Sequence, residues 1–226
     1  MTPSETRAAR RPRIGVTQRV DVVPEYGEVR DCLDQAWTSL LDSVGLATVP
    51  LPNTVENAEE YLVDLDLDGL ILTGGNDLAE VTDPAAPAPA RDRFERTALS
   101  VAQKRQWPVL GVCRGLQLAN VHYGGTVGPV EGHVATDHSV RFERDVEFLG
   151  ETPEETVVNS YHDYGVRPDH LAEPLRPVAV AHDGSIEAVR HPDWDLVAVM
   201  WHPERGERRE LDERILKRLF ARGGAP

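Results

Sequence analysis

Cysteine is scarce in this chain. Cys32 and Cys113 are the only two in 226 residues, too few for a disulfide framework, and no C-x-x-C pair occurs. A reducing, cytoplasmic setting is expected. Long apolar runs are also missing: none approaches the roughly 18 residues of a membrane span, so no membrane partner is expected. Positive charge is short, with 24 Lys and Arg against 38 Asp and Glu, a formal net charge of −14. Such a field repels phosphate backbones and anionic lipid, which argues against nucleic-acid binding. A nucleotide-sized substrate in a locally basic pocket stays open. The eight histidines show no H-x-x-x-H and no Cys/His cluster at ligand spacing, so no metal and no cofactor are expected. No G-x-x-x-x-G-K-[ST] nucleotide loop is present. Residues 1–12 are polar and Arg-rich without an apolar core, which predicts a flexible tail rather than a secretory signal.

What is present reads as an α/β protein, a single domain over 13–226. Arg13 to Thr17, Leu46 to Val49, Gly69 to Thr73 and Trp107 to Val112 read as short buried strands. Val29 to Val44, Glu56 to Val63 and Arg91 to Lys104 read as helices between them. This alternation predicts a flavodoxin-like, mostly parallel sheet with helices on both faces. The second half differs. Val134 to Leu149, Thr156 to Asn159, Val178 to His182, Ser185 to Arg190 and Leu196 to Trp201 are strand-like, and Asp183-Gly184 is a hairpin signal. An antiparallel extension is expected there, closed by a helix over Glu207 to Ala221. The Pro/Ala-rich stretch Leu78 to Ala90 reads as a long loop.

One stretch organises the rest. Val109-Leu110-Gly111-Val112-Cys113-Arg114-Gly115-Leu116 reads as strand, sharp turn and helix, with a thiol at the corner. This is the layout of a nucleophile elbow with Cys in place of Ser. The helix N-terminus directs free N–H groups at the sulfur and favours thiolate. A lone cysteine in such a place is otherwise a small buried hydrophobe. A nucleophile needs a base, an orienter and an oxyanion site. Val197 to Trp201 delivers His202 at a strand end, with Glu204 two residues on. His202 can move the proton and Glu204 can hold its tautomer. Backbone N–H groups at Gly75 and Arg114 can form the oxyanion site, and Gly74-Gly75 lets backbone approach closely.

These blocks together resemble the class I glutamine amidotransferase-like superfamily. The branch indicated is that of free-standing γ-glutamyl hydrolases. Asp68 to Asp77, Arg91 to Glu95, Val109 to Thr126 and Trp201 to Glu204 carry the resemblance; Asn159 to His162 and Gly184 to Ala188 fit it. It implies Cys113 as nucleophile, His202 as base and Glu204 as orienter. Gly74 and Gln117 would contact substrate, Gln117 at the α-amino and carboxylate end of the γ-glutamyl group. Asn159, Ser160, Tyr161 and His162 would line the glutamyl pocket. Asp163 and Tyr164 depart from the branch pattern, which leaves the amine side open. His133 and His138 are structural or pocket-lining, and Arg91 and Asp92 form either a helix-start ion pair or a substrate contact.

The head segment, Gly15 to Val20 with Glu28 to Asp34 and Trp37, is similar to the subgroup that cleaves γ-glutamyl phosphoramidates of nucleotides, such as γ-glutamyl-CDP-amidate. Arg19 and Arg30 would then meet phosphate, unless they pair with Glu25, Glu28 or Asp31. The expected activity is hydrolysis of a small-molecule γ-glutamyl amide through a thioester; a homodimer is possible. The alternatives are a glutaminase component feeding ammonia to a partner synthetase, and a silent binding protein on the same fold.

Overall fold

The computed structural model describes residues 10–81, 83–143, 153–206 and 210–220. In chain order the elements are β1 (Arg13–Thr17), β2 (Arg19–Val22), β3 (Val29–Cys32), α1 (Gln35–Ser43), β4 (Ala47–Leu51), α2 (Ala58–Asp64), β5 (Gly69–Leu72), α3 (Pro89–Arg105), β6 (Val109–Val112) and α4 (Arg114–His122). The second half holds β7 (Gly128–Pro129), β8 (Val134–Phe142), β9 (Glu155–Tyr161), β10 (Tyr164–Gly165), β11 (Arg176–Ala181), β12 (Ile186–Arg190), β13 (Leu196–Val199) and α5 (Glu210–Phe220).

Nine strands form one sheet in the order β4-β1-β5-β6-β13-β12-β11-β8-β9. From β4 to β13 every pairing is parallel; from β13 to β9 every pairing is antiparallel. Alternation along the central strands divides the core in two. Ile71, Leu110, Val112, Val197 and Val199 pack with Trp37, Leu40 and Leu41 of α1 and with Ile215, Leu216 and Leu219 of α5. Leu70, Leu72, Val109, Leu196 and Ala198 face the other way, onto Leu62 of α2, Phe94 and Leu99 of α3 and Leu116 of α4. The expected helices on both faces are there.

The antiparallel half curls back on the parallel half. β9 is four strands from β13 in the sheet order, about 19 Å away if the sheet were flat. Yet Asn159 of β9 bonds the backbone of His202, three residues past β13, through both amide atoms. Strong twist brings the far edge home. Val140, Val158 and Val178 line the inside of this curl, in the same core as Val112 and Cys113.

Three expectations need correction. The helix expected over Val29 to Val44 begins only at Gln35, because Asp34 caps it by accepting from the Ala36 N–H at 2.9 Å. Residues 29–32 instead pair antiparallel with Arg19–Val22 as a hairpin. The strand begun at Leu46 runs from Ala47 through Pro50 to Leu51; proline is tolerated because β4 is an edge strand. The flexible tail of 1–12 is tied down at its described end. Arg10 pairs with Asp66 and Asp68 at 2.8 and 2.7 Å, and the Pro12 carbonyl accepts from the Ala47 N–H. Residues 1–9 lie outside the described residues, as do 207–209 and 221 of the expected final helix and 144–149 of the expected strand ending at Leu149.

Candidate active site

The elbow is built by steric necessity. Cys113 is the N-cap of α4 and sits at φ 52°, ψ −103°, a conformation that costs energy in any side-chain-bearing residue. The surroundings enforce it. A Cβ on Gly115 would collide with the Leu72 carbonyl oxygen, and one on Gly111 would lie 2.8 Å from the Ala198 Cβ. Glycine on each side of Val112-Cys113-Arg114 thus lets α4 start hard against β5 and β13. The Cys113 N–H donates to the Val199 carbonyl at 2.7 Å, fixing the corner to β13. The N–H groups that open α4, at Arg114 and Gly115, have no acceptor within the helix.

β13 ends one residue before Met200-Trp201, and His202 follows. Its Nδ1 lies 2.7 Å from Glu204 Oε1. Both side chains are buried, and Arg205 stands 3.5 Å from the same carboxylate oxygen. Burial disfavours the imidazolium of His202, but contact with Cys113 and Glu204 outweighs it and raises the group to about 9. Asn159 accepts from the His202 N–H at 2.8 Å and donates to its carbonyl at 3.0 Å. The Tyr161 ring meets the imidazole edge-on at 5.7 Å, and Arg205 lies over that ring.

Gly74 touches both partners. A Cβ there would lie 2.7 Å from His202 Cε1 and 3.4 Å from Cys113 Cβ. The Thr73–Gly75 segment is held from behind by Arg91, whose guanidinium is fully buried. It donates to the carbonyls of Thr73 at 2.6 Å and Gly74 at 3.0 Å, and also to that of Gly75. Glu95 accepts from Arg91 Nε at 2.9 Å, and Glu95 and Asp92 both pair with the buried Arg114 guanidinium. Burial lowers Arg91 to about 10, against the opposing pull of Glu95. Arg91 and Asp92 are thus ion-paired at the start of α3, as one of the two readings had it, but buried and with Glu95 and Arg114 as partners. They belong to a buried network that links the glycine loop, α3 and the first turn of α4. The pattern Arg91-x-x-x-Glu95, one helical turn apart, carried that information.

The cleft in front of His202 is lined by Arg19, Cys32, Asp34, Trp37, Thr73, Gly74, Gly75, Glu204 and Arg205, among others. The unforeseen β2–β3 hairpin supplies one wall. Asn76 holds it there, accepting from the Val20 N–H at 2.7 Å and donating to the Val20 carbonyl at 2.9 Å. Arg19 packs along Gly75 and pairs with Asp21 at 2.8 Å. Arg30 is not brought to the cleft: it pairs with Glu28 at 2.7 Å and donates to the Tyr26 hydroxyl. Side chains alternate along a strand, and by register Arg30 shares its face of the hairpin with Arg19 but lies two residue pairs nearer the turn.

The same alternation splits the expected pocket segment. Asn159 and Tyr161 face His202. Ser160 and His162 face away; the Ser160 hydroxyl donates to the His133 carbonyl at 2.6 Å. Gln117 is buried, and its Nε2 donates to the Tyr164 carbonyl at 2.8 Å, which leaves its Oε1 as the group that can meet a ligand. Leu78 to Ala90 is pinned at its base by the Asp77–Ala86 backbone contact and by Asp92, which accepts from the Ala79 N–H. His133 and His138 gather with His162 around Glu187. Burial alone would push Glu187 up, but His138 and His162 hold it down at about 2.

Known proteins resemble this chain in sequence and fold. The chain is 31% identical to the "Gamma-glutamyl-CDP-amidate hydrolase" of Campylobacter jejuni over 92% of its length and 97% of that protein's. It is 28% identical to a glutamine-hydrolysing GMP synthase component of Archaeoglobus fulgidus, covering 82% of this chain and 88% of that one. Its fold matches the crystal structure of a glutamine amidotransferase from Thermotoga maritima with a TM-score of 0.65 at 17% identity, over 92% and 82% of the two chains. No helix among the described residues is long and apolar enough to cross a membrane. The family described as Peptidase C26 matches residues 12–204, elbow and Trp-His-Pro-Glu segment included, and the chain belongs to that family.

Proposed function

We propose that the chain is a cysteine hydrolase that cleaves the γ-glutamyl amide bond of a small γ-glutamyl compound. The observation that carries this is the coupling of His202 to Cys113 on one side and to Glu204 at 2.7 Å on the other, at a strained elbow. In this reading His202 stands as imidazolium beside the Cys113 thiolate. The sulfur attacks the γ-carbonyl carbon, and the resulting oxyanion is met by the N–H groups of Gly75 and Arg114. The C–N bond then breaks. Its electron pair leaves on nitrogen, which takes the proton from His202, and a γ-glutamyl thioester remains on Cys113. Water follows: neutral His202 removes its proton, hydroxide adds to the thioester, and glutamate departs as the thiolate re-forms beside the imidazolium. Glu204 keeps the imidazole in register through both halves.

The substrate class we favour is a γ-glutamyl phosphoramidate of a nucleotide. The Campylobacter relative bears that activity in its name, and Arg19 stands at the cleft mouth against Gly75. A guanidinium there suits a phosphate next to the scissile nitrogen. The second reading, a glutaminase working with a synthetase, is favoured by the relative named as part of a GMP synthase. One experiment separates them: mass-spectrometric measurement of glutamate release from nucleotide γ-glutamyl amidates, γ-glutamyl amines and glutamine. Fastest release from the amidates by the chain alone supports the first reading. Release from glutamine only, and only with an added synthetase, replaces it with the second. In either case Cys113→Ala is expected to abolish release while the melting temperature stays within a few degrees. Turnover that survives this substitution removes the nucleophile assignment.

A further inference from the structure

A second set of chemistry-bearing residues lies beyond the segment that the proposed reaction uses. His133 precedes β8, His138 lies on it, His162 follows β9, and Glu187 lies on β12. The sequence scatters them over more than fifty residues; the curl of the antiparallel half brings them together. His133 Nδ1, His138 Nε2 and the carboxylate of Glu187 all lie within 4.8 Å of one another. Glu187 is wholly buried, His133 and His162 nearly so.

The distances select between explanations. His138 Nε2 is 3.4 Å from Glu187 Oε2; His133 Nδ1 and His162 Nε2 are 3.5 and 3.6 Å from Glu187 Oε1. Charge-assisted hydrogen bonds run about 2.7–2.9 Å, so these contacts are too long. Nδ1 of His133, Nε2 of His138, Nε2 of His162 and Oε2 of Glu187 are all buried without a hydrogen-bond partner. Three of these residues, His133, His138 and Glu187, offer atoms within 4.8 Å of one another, and such a group of orphaned polar atoms calls for an ion or a water. Donors about 2.0–2.1 Å from a tetrahedral ion stand about 3.3 Å from each other, close to the separations of the histidine nitrogens from the Glu187 carboxylate.

The outer contacts fit the same arrangement. His162 Nδ1 lies 3.0 Å from the Tyr164 carbonyl. Donation there leaves Nε2 facing a carboxylate oxygen at 3.6 Å, a pairing that an ion, a water or a second ring proton between them would satisfy. His133 turns its other nitrogen, Nε2, to Asp183 at 3.4 Å. Carbonyl support behind an imidazole, as His162 has, is the usual outer shell of a metal-bound histidine. Imidazole and carboxylate donors suit zinc and its first-row neighbours.

We propose that His133, His138 and Glu187 form a binding site for a divalent first-row transition ion of the zinc class, with His162 beside it, 3.6 Å from Glu187. The ion would lock the β8–β9 hairpin and the turn after it to β12. It takes no part in the chemistry at Cys113, and the site stands whether or not the proposed reaction is correct.

The test uses the full chain carrying Cys113→Ala, so that capture of metal by the nucleophile is not counted. After chelator dialysis the protein is titrated with Co2+ and then Zn2+, followed by visible absorption, metal content and thermal melting. The expected result is about one equivalent of cobalt with the d–d bands of a four-coordinate ion, displaced by zinc. Melting temperature should rise with metal. His138→Ala and Glu187→Gln, each in the same background, should weaken binding at least tenfold and remove the metal-dependent rise in melting. The proposal is overturned by less than half an equivalent bound to the parent protein. It is equally overturned by binding that both substitutions leave unchanged. The parent titration decides on its own if a variant fails to fold.

Discussion

At the scale of single residues, Gly74 states the demands of the site most sharply. It packs beside the imidazole and Cys113 Cβ with no space for a methyl group: its Cβ would approach His202 Cε1 to 2.7 Å. Gly74→Ala should therefore act on the reaction before the fold. Displacement of a reacting group by ångström amounts costs about 10²-fold, and we expect a loss of that order in kcat/KM. A melting temperature within a few degrees of wild type is the accompanying expectation. Full activity in the purified variant would show that the loop gives way at no cost. The residues that carry the proposed chemistry are legible from local signals, because each obeys a local rule. Gly-x-Cys-x-Gly is required by the collision at Leu72, and the spacing of His202 and Glu204 is required for a 2.7 Å contact. The sequence suggests pocket lining for Asn159, but its amide grips the His202 backbone. No local pattern carries that role, since the two residues meet only after the sheet has curled.

At the scale of elements, the buried network joining α3 to the elbow is the part with most to lose. Glu95 is wholly buried between two guanidinium groups, Arg91 and Arg114. Burial opposes its charge, but the two arginines hold its carboxyl below the usual range. Glu95→Gln keeps the shape and removes the charge, leaving Arg91 and Arg114 under-compensated. Removing one partner of a buried ion pair costs about 3–5 kcal/mol. We expect a loss of that size in urea unfolding, and a further loss of activity as Arg91 releases the Thr73–Gly75 carbonyls. An unchanged urea midpoint would mean that water compensates the arginines. The β2–β3 hairpin shows where element-level reading fails. Cys32, Leu33, Ala36, Trp37, Leu40 and Leu41 recur at helical spacing, yet only the part after Asp34 is helix. The cap at Asp34 was the usable signal. The hairpin before it is held by a tertiary contact, Asn76 to Val20.

At the scale of the whole molecule, the coupling of His202 ties stability to pH. The group is raised from 6.5 to about 9 in the folded protein. The folded state therefore holds its proton more tightly than the unfolded chain does. Its contribution to stability is complete below pH about 6.5 and is lost as pH rises through about 9. Melting temperature measured from pH 6 to 10 should decline across the alkaline half of that range. The decline should be shallower in His202→Gln; the same slope in both proteins would place its origin elsewhere. The parallel half of the fold was legible because strand and helix periods alternate cleanly from Arg13 to Val112. The order and curl of the antiparallel half were not. Hairpin signals such as Asp183-Gly184 fix neighbours, but they do not say which edge returns to the centre. The histidine cluster was hidden for the same reason: a test of ligand spacing sees donors within one segment, and these come from three.

The curl has a mechanical meaning. Cys113 is anchored to β13 through its own N–H, and His202, which follows the same strand, is gripped by Asn159 from the far edge of the sheet. In the proposed reaction both ends of the proton path thus hang from one hydrogen-bonded ladder bent into a loop, Cys113 at β13 and His202 at β13 and β9 together. A spring clip behaves in this way: the gap between its jaws is set by the curvature of the bow. On the proposed reaction, the reactivity expected of Cys113 follows how tightly the antiparallel extension is wound, readable at a single sulfur atom.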